Sequence, residues 1–277
     1  MLKTFVKKFK GSDLDKKGVK VSMFESGSME GDDSSCAAYM DCILGRGPKY
    51  VFKNAKLRKY FKEVSMHSYW SGADTKKNAE NYFSDKYSKY SVAATEYCQM
   101  TDDKNTGVYD LIAKEKNGTN GTSIKYGVAM ANTIVDDLTI MNANEWDWWT
   151  ACSYGTYTDG LIYLDEDNHE NLDFSKRYYC LGNFSKFIKE GAVRVACSSG
   201  VKNVRSVAFV NEDNTVVTVY VNNNDKKAYT TIDCEGDYAV YTTDRDNDIA
   251  KTDFGKAKKV KVSLPASSVV TVVYEAK

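Results

Sequence analysis

The sequence predicts an α/β domain followed by an all-β domain, and three observations predict it. Over residues 1–190 short β-type runs alternate with helical patterns, the signature of parallel βα units. From Gly191 onward the helical pattern stops, and short β-type runs follow one another across polar turns. Of the 277 residues 42% are hydrophobic and 18 are glycine, the balance of an ordinary folded chain, which sets aside disorder, collagen and coiled coil.

Each element has its own reason. Leu2–Lys10 spaces Leu2, Phe5, Val6 and Phe9 along one helical face. After Gly18, Val19–Phe24 reads as a first strand ending in Glu25 and Ser26. Ser34–Leu44 and Asn54–Phe61 carry helical patterns, and Val64–Trp70 is a second strand. Thr75–Lys86 is a helix and Tyr90–Tyr97 a third strand. Ser123–Thr139 is the longest helix, with Val128, Ala131, Ile134, Val135 and Leu138 on one face. Glu145–Ala151 reads as a fourth strand, dense in tryptophan, and Ser175–Lys189 as the last helix. The β-type runs that follow are Ala192–Cys197, Val204–Val210, Val216–Val221, Ala228–Ile232, Tyr238–Thr242, Val260–Leu264 and Ser268–Tyr274. We expect an α/β domain over residues 1–190 and an antiparallel β-sandwich over 191–277. Four βα units are too few for a closed eight-unit barrel, which takes about 250 residues. They form either a small open sheet or the second half of a barrel.

Composition narrows the partners. Lys and Arg balance Asp and Glu at 38 each, so no electrostatic reason exists to expect nucleic acid or an anionic membrane. No stretch approaches the ~20 apolar residues of a membrane span. Met1–Lys10 is lysine-rich without an apolar core, so no signal peptide is expected in it. Seven cysteines without a CxxC pair, and two histidines, disfavour a structural zinc site. Twenty tyrosines and four tryptophans suit stacking on the flat C–H faces of sugars.

Ligands of parallel α/β folds bind at the carboxyl ends of the strands. Those ends read Glu25-Ser26, His67-Ser68-Tyr69-Trp70, Thr95-Glu96-Tyr97 and Trp146-Asp147-Trp148-Trp149. Carboxylates that can act as acid and nucleophile, beside aromatic rings, are what glycoside cleavage requires. Glu96 is the leading carboxylate, because it follows the uncharged run Ser91–Thr95. Glu25 reads more simply as a cap or a loop ion-pair partner, and Trp148 as core.

Five segments, taken in order, resemble glycoside hydrolase family 30. Val64–Tyr69 resembles its His-x-Tyr sixth barrel strand, and Ala94–Tyr97 its seventh-strand motif bearing the nucleophilic glutamate. Trp146–Trp149 with Tyr157–Tyr163 resembles the eighth strand and its loop. Ser175–Ile188 is similar to the helix leading into the sandwich, and Leu264–Thr271 to its closing strand. The resemblance implies the second half of a (β/α)8 barrel plus a β-sandwich, and a retaining hydrolase of β-linked polysaccharide. It implies Glu96 as nucleophile, and Trp149, Tyr69, His67, Asp147 and Trp70 as substrate-binding residues. Strand alternation would put Trp149 and Asp147 on one face. No cofactor or metal is implied.

The family's acid/base glutamate ends the fourth barrel strand, and no residue here matches it. The expected partners are therefore a polysaccharide or oligosaccharide and the N-terminal half of the barrel, with the parent enzyme extracellular or at the cell surface. The substrate expected first is β-1,6-galactan and second xylan. The alternative is a non-catalytic saccharide-binding fragment.

Overall fold

The structure is a computed structural model. It describes residues 2–19, 21–22, 25–29, 41, 60–61, 63–100, 102–104, 106, 108, 110–111, 122–155, 157–165, 167–168 and 170–275. The described residues form two compact units: Met1–Tyr97 with Asp136–Trp148, and Cys98–Val135 with Trp149–Lys277.

The first unit is built on a parallel sheet. Its strands are β1 (Glu25–Ser28), β2 (Glu63–Tyr69), β3 (Ser91–Glu96) and β4 (Glu145–Trp146), side by side in chain order. Helix α1 (Leu2–Phe9) opens the chain and the short α2 (Asp13–Lys16) follows, capped by Ser12. Helix α3 (Ala73–Tyr87) connects β2 to β3, and α4 (Ile124–Thr139) precedes β4. Val64, Met66 and Val92 share one face of the sheet and bury against Val6 of α1 and Ala79 and Phe83 of α3. Period-2 strands meet period-3.6 helices across that face, which is why the two hydrophobic patterns were legible separately.

Among the expected elements of this unit, the fourth strand is corrected, and the first strand and two helices lie partly or wholly outside the described residues. Of the first strand expected over Val19–Phe24, the described Val21 makes an isolated parallel bridge to Phe61, and the described ladder runs from Glu25. The fourth strand ends at Trp146, although the Asp147 amide still donates to the Ala94 carbonyl at 2.8 Å. The helices expected over 34–44 and 54–61 lie outside the described residues, apart from Asp41, Tyr60 and Phe61.

In the second unit a small sheet that the sequence reading missed joins β5 (Cys152–Ser153), β6 (Ile162–Leu164) and β7 (Leu172–Phe174). Two- and three-residue strands carry no periodicity to detect. Helix α5 (Lys176–Ser185) follows, shorter than the expected Ser175–Lys189.

Six antiparallel strands complete the chain: β8 (Val193–Val195), β9 (Val204–Val210), β10 (Thr215–Asn222), β11 (Ala228–Thr243), β12 (Ala250–Leu264) and β13 (Ser268–Glu275). Their order is β12-β11-β13-β10-β9-β8. The runs read as two strands, Ala228–Ile232 and Tyr238–Thr242, are one bent strand. Only Tyr238–Thr243 of β11 pairs with β13, while the register with β12 slips between Asp233 and Gly236. Gly236 has φ +125°, a backbone conformation open chiefly to glycine, so the strand bends there instead of ending. Beyond the bend, Ile232, Cys234, Val260, Val262 and Leu264 fold onto Tyr220, Val270 and Val272 in one core. A single continuous ladder thereby supplies both layers.

Candidate active site

The site is assembled at the carboxyl end of the parallel sheet. Side chains on one strand alternate between faces, and partners in register share a face. Glu25 of β1 lies opposite Ser65 of β2, so it projects on the side of Ser65, His67 and Tyr69. From Glu63↔Ser91 to Met66↔Ala94 the β2–β3 ladder is regular, and then His67 pairs with Glu96 instead of Thr95. This one-residue bulge decides the site. In unbroken register Glu96 would fall opposite Ser68, on the face packed by helices. The extra residue turns it to the face of His67.

Three strands thus bring three ionisable side chains into a row. His67 Nε2 lies 3.1 Å from Glu25 Oε2, and His67 Nδ1 lies 3.6 Å from Glu96 Oε1. The Tyr69 hydroxyl donates to Glu96 Oε1 at 2.9 Å. The Glu96 side chain is 28% exposed, which leaves it reachable by a ligand while its neighbours restrain it. The His67 ring meets Tyr69 edge-on at 5.6 Å between centroids.

Aromatic rings continue from this row. Tyr97 is buried and packs against Tyr69 at 5.9 Å, Trp146 at 6.1 Å and Trp148 at 5.9 Å. Trp146 and Trp148 lie 6.4 Å apart, tilted by 32°. Trp70 follows Tyr69 with φ +54°, an uncommon left-handed conformation for a bulky residue, and its ring tilts against Tyr69 at 5.7 Å. The wall therefore holds Trp148 in an aromatic cluster, where it is half-buried and not among the buried core residues.

Sequence reading had no signal for the group beneath this wall. Asp137 of α4 is fully buried and accepts from Ser68 Oγ at 2.7 Å and from the Trp146 indole N–H at 2.9 Å. The Lys76 ammonium of α3, also buried, sits 2.7 Å from its other oxygen. One carboxylate so ties β2, between His67 and Tyr69, to α3, α4 and β4. The trace in the sequence is an aspartate pair, Asp136-Asp137, after the largely apolar run Gly127–Val135 of the helix.

The remaining expected residues stand differently. Asp147 is exposed and belongs to the parallel-sheet unit. Trp149 is 53% exposed, belongs to the second unit, and precedes a cis peptide bond to Thr150. Because β4 stops at Trp146, strand alternation does not relate Asp147 to Trp149, and that argument falls. Among the described residues no cluster of three or more His, Cys, Asp or Glu side chains is placed to hold a metal ion.

Comparison with known proteins agrees with this architecture. Residues 19–163 match O-glycosyl hydrolase family 30, and residues 191–272 match the glycosyl hydrolase family 30 beta sandwich domain. A family 30 subfamily 8 xylanase from Clostridium acetobutylicum is similar in structure, with TM-score 0.65 and 22% identity over 94% of this chain. A conserved exported protein from Bacteroides fragilis superposes with TM-score 0.73, again at 22% identity over 94%. A family 30 endoxylanase from Clostridium papyrosolvens gives TM-score 0.66 at 19% identity over 99%. The chain spans 57% of the length of the first two structures and 69% of the third. At these identities the likeness is one of fold, a TIM barrel with a β-sandwich, of which the parallel sheet is a part. The sequence matches, spanning the parallel sheet and then the antiparallel one in order, carry the assignment further: the chain belongs to glycoside hydrolase family 30.

Proposed function

We propose that this chain carries the nucleophile half of a retaining glycoside hydrolase acting on β-linked polysaccharide outside the cell. One observation supports the reading above the others: Glu96 is turned by a bulge onto the carboxyl-end rim of the sheet and held there by the Tyr69 hydroxyl, with the His67 ring beside it. A carboxylate oxygen of Glu96 attacks the anomeric carbon and the bond to the leaving oxygen breaks. A general acid gives that oxygen its proton, and a glycosyl ester remains on Glu96. Water, deprotonated by the same group, then displaces the ester. A retaining pair needs its two carboxyl groups about 5–5.5 Å apart. His67 stands between Glu25 and Glu96. We therefore place the acid on a segment outside β1–β4, in the barrel half to which this chain is complementary.

The resemblance of the Trp146–Trp149 and Asp159–Tyr163 segments to the endo-β-1,6-galactanase branch of the family supports β-1,6-galactan as substrate. Xylan is second, in line with the two similar structures described as xylanases. The similar exported protein is in keeping with a polymer met outside the cell.

The test is covalent trapping. A dinitrophenyl 2-deoxy-2-fluoro galactoside or xyloside should leave a sugar ester on the Glu96 peptide by mass spectrometry. Label on Glu25 or Asp147 would overturn the assignment, and saccharide binding without any label would favour a non-catalytic module. Trp149, exposed and aromatic, is proposed to stack on the sugar in the cleavage subsite. Trp149→Ala is then expected to cost about 1–3 kcal/mol of oligosaccharide affinity by titration calorimetry, with an unchanged thermal midpoint. A fallen midpoint with intact affinity would make the ring structural.

A further inference from the structure

We propose that Glu25 is a positioning residue of the nucleophile: its carboxylate fixes the His67 ring, and the ring in turn sets the place of Glu96. The proposal rests on the reading of Glu96 given above. It also replaces the simplest alternative role for Glu25, that of a recruited general acid.

The geometry runs through one ring. Glu25 Oε2 engages His67 Nε2 at 3.1 Å, and Nδ1 on the other side faces Glu96 Oε1 at 3.6 Å. An imidazole has a broad, roughly two-fold χ2 preference, so packing alone leaves two ring flips open. A hydrogen bond at one nitrogen selects the flip and the tautomer, and thereby what the other nitrogen presents. With the Nε2–H donating to Glu25, Nδ1 carries the ring's lone pair, and it borders the nucleophile's carboxylate without donating to it. With Glu25 in place the ring side chain is 13% exposed, so the carboxylate and not bulk water is its partner. Glu25 itself is half exposed, and its truncation disturbs no core contact.

The strands prepare this contact. Glu25 reaches the face of His67 because its register partner is Ser65, while the next residue, Ser26, is buried on the opposite face opposite Met66. The Tyr69 hydroxyl restrains Glu96 Oε1 from along β2. The edge of the His67 ring bounds the same oxygen from the side by contact, with Nδ1 at 3.6 Å, and Glu25 backs the His67 ring. A carboxylate engaged with Nε2, with the ring between it and Glu96, serves orientation and is poorly placed to protonate a leaving oxygen.

The experiment reads the ring and the nucleophile separately. The chain has two histidines, His67 and His169, so His169→Gln leaves a single imidazole to observe. Long-range ¹H–¹⁵N correlation spectra should show His67 as the Nε2–H tautomer in that background and with Glu25→Gln, whose amide oxygen still accepts. Glu25→Ala should show an averaged ring. In parallel, labelling of Glu96 by the dinitrophenyl 2-fluoro glycoside needs no acid, because the phenol leaves unprotonated. Glu25→Ala should slow labelling by about 10–100-fold at unchanged half-saturation, by analogy with the loss of the carboxylate that orients a metal-bound histidine. Glu25→Gln should recover most of that loss. Equal slowing by Gln and Ala, or an unchanged tautomer and rate in Glu25→Ala, overturns the proposal. If the unsubstituted chain takes no label on Glu96, the reading of the nucleophile fails. The ring spectra still report whether Glu25 holds His67.

Discussion

Asp137→Ala is expected to lower the unfolding free energy of the parallel-sheet unit by about 3–5 kcal/mol, the cost of leaving one partner of a buried ion pair uncompensated. Three donors lose their acceptor at once: the Lys76 ammonium at 2.7 Å, Ser68 Oγ at 2.7 Å and the Trp146 indole at 2.9 Å. Neither Lys76 nor Asp137 can turn to water, since both side chains are buried to within 1%. Urea unfolding followed by tryptophan fluorescence measures the loss. Combining Asp137→Ala with Lys76→Met removes both charges and should restore a good part of the stability. If the double variant is as unstable as the single one, the hydrogen bonds to Ser68 and Trp146 carry the effect and the ion pair does not. A single-variant loss below about 1 kcal/mol would place Asp137 in the class of ordinary hydrogen-bond acceptors.

Dependence on the leaving group is the second large expected effect. General acid help is typically worth 10²–10⁴-fold, and a sugar hydroxyl needs it where a dinitrophenol does not. On the proposed placing of the acid outside β1–β4, these 277 residues should release dinitrophenol from an aryl glycoside while releasing reducing sugar from galactan or xylan slower by about that factor. Addition of the complementary barrel half should close the gap. Robust polysaccharide turnover by the chain alone, lost in Glu25→Gln, would make Glu25 the acid and overturn both its positioning role and the placing of the acid elsewhere. Among the described residues the parallel sheet has four strands, and on the proposal that a complementary barrel half completes it, self-association is expected on size-exclusion chromatography until that half is supplied.

The sequence was most legible where a long, single-period pattern met one environment. Strands β2, β3 and β9 and helices α3 and α4 lie within one or two residues of their expected bounds. Each has a buried face wide enough to write its period into the residues. The pattern failed where elements are short or continue through a bend. The strands β5–β7 are two or three residues long, and the break at Gly236 looked like a turn between two strands.

For the site, the sequence by itself determined the inventory: Glu96 after an uncharged run, His67 and Tyr69 two apart on one strand, and tryptophans at the last strand end. These are local facts, set by period-2 alternation within single strands. Only the tertiary structure decided which of them meet. Strict alternation would have sent Glu96 to the helix side of the sheet, and a bulge against β2, a property of the pair of strands, turned it to His67. Glu25 came within reach of His67 through the β1–β2 register, and Asp137 reached Ser68 and Trp146 from a helix 69 and 9 residues away along the chain. Contacts at such separations depend on register and packing between elements, and neither is encoded in the period of any one of them.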